Sequence, residues 1–316
     1  MLFRNADRVR KNYCGDHVHL RGIIEFSNHC CRNCLYCGLR RDNRRLKRYR
    51  ISATDIITLA KSIFSLGIKT VVLQSGDDFH YTRSELCKII EKVKTQTDMS
   101  VTLSLGERPL EDYRDYRLAG ADRYLLKHEA ANEKLYAKMH PGQSLRERIL
   151  ILEYLRRTGY QIGSGNIVGL PGQRLEDLYD DILFLKELDP DMISIGLFIP
   201  QKDTPLAGNR PGDVDLTLKV LAAARIMSEN SHMPVTTALV TADPEGGMLK
   251  GLKAGANVIM PDFTPSPYRE AYSIYDNKVR ITLDRALQTI KEAGRVAAKG
   301  RGDSLKNPSC SPATVS

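Results

Sequence analysis

Residues 22–37 read Gly22-Ile23-Ile24-Glu25-Phe26-Ser27-Asn28-His29-Cys30-Cys31-Arg32-Asn33-Cys34-Leu35-Tyr36-Cys37. Residues 22–26 form a short, mostly apolar run, the pattern of a buried strand, and a polar loop crowded with cysteine follows at once. Working outward, the same kind of run recurs at 70–74, 101–105, 123–127, 163–168, 192–198, 235–239 and 257–260. Amphipathic segments separate these runs. Ser52 or Thr54 caps one that places Ile56, Ile57, Leu59, Ala60, Ile63 and Phe64 on a single face, and Gly67 stops it. Ser144 opens a second that ends at Gly159, and 174–188 is a third, with Leu178, Ile182 and Leu185 in register. Eight β–α units in series predict an α/β chain closed into a parallel (β/α)8 TIM barrel.

A barrel of this kind carries its chemistry at the C-terminal strand ends. The cysteine loop falls there after strand 1, Gln74-Ser75-Gly76-Asp77 after strand 2, and Ser104-Leu105-Gly106-Glu107 at strand 3. His128-Glu129 follows strand 4, Leu170-Pro171-Gly172 strand 5, Pro200 strand 6 and Pro261-Asp262 strand 8, while Thr236-Thr237 lies on strand 7. Residues 1–20 read as a lead-in with one partial helix and 21–296 as the barrel. The low apolar content of 297–316 predicts a disordered basic tail.

The loop holds four of the seven cysteines. Cys30, Cys34 and Cys37 are spaced C-x3-C-x2-C, so they offer three thiolates where a cubane iron–sulfur cluster normally takes four, leaving one iron open for chemistry. A zinc knuckle would need a fourth ligand, and Cys14, Cys87 and Cys310 are scattered. A disulfide framework does not fit cysteines crowded into one loop. Cys31-x2-Cys34-x2-Cys37 is a ferredoxin-like alternative, but the usual fourth cysteine followed by proline is missing, so Cys30 is read as the ligand and Cys31 as a bystander. With an aromatic residue, Tyr36, before the last cysteine, the loop resembles that of the radical S-adenosylmethionine (SAM) enzymes. The resemblance implies one 4Fe-4S cluster whose open iron chelates SAM, and reductive cleavage of SAM to a 5′-deoxyadenosyl radical.

The formal charge is +9, but the cations are spread rather than striped, so no nucleic-acid partner is expected. The densest group, from Arg40 to Arg50, directly follows the cysteines and reads equally as a solvated loop or as a rim attracting an anion or an acidic electron donor. Residues 1–8 contain no apolar signal core, no run is long enough to span a bilayer, and cluster cysteines need reducing surroundings; the cytoplasm is expected.

Beyond the cysteines, Glu129 stands where a carboxylate could meet a ribose or ammonium group, and the Ser75-Gly76 turn could offer backbone groups. Arg148 is either a cation for a carboxylate or a solvated helix residue. One of Thr236 and Thr237 should face the lumen. Tyr268, Tyr272 and Tyr275 stand at helical spacing, which more often marks core than ligand contact.

Longer strings resemble one group within that superfamily, the HydE maturases of FeFe-hydrogenase. They include Ile24-Glu25-Phe26-Ser27-Asn28, Cys37-Gly38-Leu39-Arg40-Arg41-Asp42-Asn43, Leu73-Gln74-Ser75-Gly76, Thr102-Leu103-Ser104-Leu105-Gly106-Glu107 and Val168-Gly169-Leu170-Pro171-Gly172-Gln173. Biotin synthase and methylornithine synthase are more distant relatives. The resemblance implies that Glu129 and Arg148 contact SAM with Gln74 nearby. It also implies that Ser104, Arg123, Thr236, Thr237, Tyr272 and Tyr275 line the cavity that receives a small cysteine–iron substrate. An external flavodoxin- or ferredoxin-type donor and other hydrogenase maturation proteins are the implied partners. Lys127 departs from the pattern, standing where the group has arginine, as do Leu197 and Gln201, where proline and histidine are expected. These departures keep open a paralogue acting on another small molecule; an iron–sulfur carrier without catalysis is the alternative from a different class.

Overall fold

The computed structural model describes residues 1–306. Its strands are β1 (His17–Leu20), β2 (Gly22–Ser27), β3 (Thr70–Ser75), β4 (Ser100–Ser104), β5 (Arg123–Leu125), β6 (Gln161–Ser164), β7 (Ile167–Val168), β8 (Met192–Ile193), β9 (Gly196–Leu197), β10 (Val258–Ile259) and β11 (Val296–Ala297). A six-stranded parallel sheet runs β2-β3-β4-β5-β6-β8. Every residue of β2 is buried, as expected of a parallel strand covered on both faces.

The sheet closes. Ile193 N–H donates to His232 O, Val235 N–H to Val258 O, Ile23 N–H to Pro261 O and Phe263 N–H to Ile23 O, so the backbone ladder returns to β2. The architecture is the expected (β/α)8 barrel. Helices Ala53–Ser65 and Leu145–Arg157 begin at the expected caps: the Ser52 side chain accepts from Asp55 N–H and Ser144 from Glu147 N–H.

Three expectations are corrected. Residues 235–239 do not form a strand: the seventh position is held only by bridges at His232 and Pro234, and a helix, Thr237–Ala242, starts immediately after. Thr236 caps that helix by accepting from Leu239 N–H, which turns the apolar run inward as a helical face rather than a pleated one. The runs 163–168 and 192–198 are each interrupted, giving β6 with β7 and β8 with β9. At the break Gly165 presses on its neighbour, and a Cβ there would lie 1.9 Å from Ser194 O.

The third correction concerns the two ends of the chain. The lead-in is a full helix, Leu2–Cys14, followed by β1, which pairs in parallel with both β10 and β11. The expected disordered tail is ordered as far as the description reaches; 307–316, with Cys310, lie outside the described residues. Ala298 N–H donates to Val18 O, and residues 301–303 run beneath the N-terminal mouth of the barrel. The segment is held by buried charge instead of apolar contact, which is why its composition misleads. Among the described residues, no helix is long and apolar enough to cross a membrane.

Candidate active site at the cysteine loop

The loop after β2 is fastened to the barrel mouth on several sides. Cys31 N–H donates to Asp77 O, Leu35 N–H to Met139 O and Gly38 N–H to Ile274 O. The Arg48 guanidinium donates to the carbonyls of Asn28, Leu39, Arg40 and Asn43, pinning the basic segment that follows the cysteines. Gly76 is required by contact: a Cβ there would lie 2.3 Å from His29 O and 2.7 Å from Cys30 Cβ.

Cys30, Cys34, Tyr36 and Cys37 open into a cavity of about 350 Å³. Cys31 is exposed and outside it. Cys30 Sγ accepts from Arg32 N–H at 3.4 Å, and Cys34 Sγ accepts from the Gln143 amide at 3.4 Å. Burial pushes the Cys34 thiol up to about 11 and the Cys37 thiol up to about 12, and raises Cys30 as well. Such thiols become thiolates where a strongly positive metal centre neutralises them.

The rest of the wall comes from other strand ends. Gln74, Ser75 and Gly76 close β3, and Ser104 closes β4. Gln74 donates to the Tyr272 hydroxyl at 3.2 Å, and Tyr275 also lines the cavity. Thr236 and Thr237 both reach it, although Thr236 donates to Ile195 O and caps its helix. Tyr268 does not line it and packs on Tyr49, ring centroids 4.9 Å apart.

Lys127 and Glu129 follow β5. Lys127 Nζ lies 2.8 Å from Glu129 Oε2, and Glu129 adopts a left-handed φ of 64° that turns it inward. Burial alone would raise the Glu129 carboxyl, but Lys127, His140 and Arg148 together hold it below its ordinary range. Arg148 is buried and each nitrogen of its guanidinium makes one bond: Nε donates to Glu107 Oε1, Nη1 to Lys127 O and Nη2 to Gln143 Oε1, which leaves one N–H on each Nη. This excludes the solvated-helix reading of Arg148. The Tyr36 hydroxyl meets His140 Nε2 at 2.8 Å, and burial holds His140 down to about 4, so the ring is neutral at pH 7.

Arg123 is not brought to this site. It opens β5 instead of ending it, and it is fully buried at the opposite end of the barrel. There Nη2 lies 2.7 Å from Asp303 Oδ1 and also donates to Gly302 O, while Nε donates to Gln161 Oε1.

Sequence reasoning missed Glu25 and Lys278. Lys278 Nζ sits 2.5 Å from the Glu25 carboxylate in the cavity wall and 4.9 Å from the Tyr272 ring centroid. A glutamate inside an otherwise apolar buried strand was the available signal for Glu25; Lys278, in a polar loop, carried none.

Residues 24–185, from β2 into the helix Leu175–Leu188, match the Radical SAM superfamily, and the chain is 52% identical over 278 residues to the [FeFe] hydrogenase maturase subunit HydE of Thermotoga maritima, covering 88% of this chain and 79% of that one. The chain is a radical SAM enzyme of the HydE group. Within this superfamily it is also similar to the 3-methylornithine synthase of Methanosarcina acetivorans, 27% identical over 92% of this chain and 81% of that one. The crystal structure of methylornithine synthase (PylB) superposes with a TM-score of 0.83 at 25% identity, covering 94% of this chain and 88% of that one.

Membership in the radical SAM superfamily implies a 4Fe-4S cluster and SAM, and the donor set fits both. Three half-buried thiols share one cavity, two of them accepting N–H groups as cluster-bound sulfur does. The half-buried Glu129 carboxylate and the buried Arg148 guanidinium stand beside them in the same wall.

Proposed function

We propose that this chain works as a HydE-type maturase in the assembly of an FeFe-hydrogenase active site. The observation that carries the reading is one cavity shared by Cys30, Cys34, Cys37, Glu129 and Arg148 in a chain 52% identical to a HydE. Cys30, Cys34 and Cys37 hold the cluster. Glu129 and Arg148 take the polar ends of SAM, and Gln74, Ser75, Gly76 and Tyr36 frame it. When bound, the cluster supplies the electron that cleaves the SAM carbon–sulfur bond reductively, giving a 5′-deoxyadenosyl radical.

The chain's residues make that event selective. The barrel wall keeps bulk water from the reacting atoms. Lys127 places a single ammonium charge for a substrate carboxylate, and Glu129 fixes its position. Ser104, Thr236, Thr237, Tyr272 and Tyr275 face the substrate, a small carboxylate- and sulfur-bearing molecule of the cysteine–iron type. The electron comes from an external flavodoxin- or ferredoxin-type donor, and the product passes to other maturation proteins.

Anaerobic reconstitution followed by SAM and dithionite should yield 5′-deoxyadenosine. No product from protein holding about four irons per chain overturns the catalytic reading. Lys127 favours a second reading, the same radical chemistry on a different small molecule, because lysine cannot make the two-pronged carboxylate contact of arginine. A HydE substrate assay that fails while 5′-deoxyadenosine still forms selects it.

A further inference from the structure

A closed circuit of side chains leaves the cysteine loop and returns to it. Arg32, between Cys30 and Cys34, donates through Nη2 to Glu107 Oε2 at 2.9 Å. The other carboxylate oxygen of Glu107 accepts from Arg148 Nε at 2.8 Å. Arg148 Nη2 donates to Gln143 Oε1 at 2.8 Å, and Gln143 Nε2 donates to Cys34 Sγ at 3.4 Å. The direction of the last bond is chemically fixed. A guanidinium only donates, so the amide oxygen of Gln143 must face Arg148 and its NH₂ must face the sulfur. Glu107 and Arg148 are buried and Cys34 is half-buried, so water has little access to these bonds.

We propose that Gln143 and Glu107 are positioning residues that couple the SAM-binding arginine to the cluster: Gln143, aimed by Arg148, sets how readily the cluster is reduced, and Glu107 holds Arg148 in place. The proposal rests on the reading of Cys34 as a cluster ligand and of Arg148 as a SAM contact. An N–H donated to a cluster thiolate stabilises negative charge on sulfur, so it favours the reduced cluster and raises its potential. Glu107 cannot be replaced by its amide without loss. It accepts from two arginines through two oxygens, and glutamine has only one.

The test is a redox titration of the reconstituted cluster, followed by EPR, beside iron content and SAM affinity by equilibrium dialysis. Gln143→Leu should retain the parental iron content and show a more negative midpoint potential. Gln143→Glu keeps the length and the Arg148 contact but turns the donor into an acceptor, so its potential should also fall. Should Gln143→Leu lose iron, Gln143→Glu decides the point. Glu107→Gln should hold iron and bind SAM roughly ten- to a hundred-fold more weakly, the usual effect of removing a group that orients a ligand. A parental potential in an iron-loaded Gln143 variant overturns the role of Gln143, and parental SAM affinity in Glu107→Gln overturns that of Glu107. A parent protein that binds no cluster or cleaves no SAM would refute the proposed function, a separate outcome.

Discussion

Gly76→Ala should uncouple cluster loading from folding. The added Cβ would meet His29 O at 2.3 Å and Cys30 Cβ at 2.7 Å, and neither can rotate away as a flexible side-chain tip would. Gly76 is not among the positive-φ glycines, so its backbone accepts alanine and the unfolded chain loses entropy, worth about 0.4–1 kcal/mol in favour of the variant. Overpacking acts against this with about 1–3 kcal/mol, leaving a net loss on the order of 1–2 kcal/mol. Relief requires the loop to retreat by about 1 Å, which displaces Cys30, and a shift of that size in a reacting group can cost a hundred-fold in rate. Thermal unfolding should therefore show a Tm a few degrees lower, while iron bound after anaerobic reconstitution drops much more sharply. Gly208→Ala is the control, since a Cβ there meets nothing within 4 Å. Parental iron content and Tm in Gly76→Ala would refute the packing argument.

Further outcomes follow from the buried charges. Burial pushes the Glu25 carboxyl from 4.5 up to about 7 against the pull of Lys278. Its contribution to stability is therefore complete below pH 4.5 and lost as pH rises through 7. Denaturant unfolding at stepped pH should show the parent losing stability relative to Glu25→Gln across this window, and parallel curves would contradict it. Arg123→Leu should cost about 1–3 kcal/mol by removing a buried guanidinium that donates to Gln161, Asp303 and the carbonyls of Arg301 and Gly302, without changing the iron content of the folded protein. A loss of SAM cleavage with parental stability would return Arg123 to the active site. Tyr36→Phe removes the hydroxyl from His140 Nε2 and should cost about 1–3 kcal/mol in the cluster-free protein, measured by urea titration.

The barrel and the cysteine loop were legible because both signals are local. Runs such as 70–74 mark a buried strand by composition alone, and the cysteines declare their chemistry by spacing. Glu129 could be placed from its position just past a strand end, whereas Arg148, inside a helix, was singled out only by the family resemblance. What escaped depends on contacts between residues far apart in sequence. Arg123 lies on a barrel strand, but its position at the start of β5 sends it to the other end, where Asp303 awaits it. The circuit through Glu107 and Gln143 joins three β–α units, and no periodicity announces it. The seventh strand was misread because 235–239 is apolar in either period, and only the Thr236 cap favours the helix.

The segment 298–306 also has a bearing on the order of assembly. Arg21 and Arg123 stand early in the chain, but both find backbone acceptors in a stretch that is synthesised after every strand of the barrel. Until that stretch emerges, two buried guanidinium groups lack these partners, so the nascent barrel cannot reach its final stability. The barrel thus gains its full stability only once 298–306 has been made, and a chain cut before that segment would keep its strands but leave its floor unlatched.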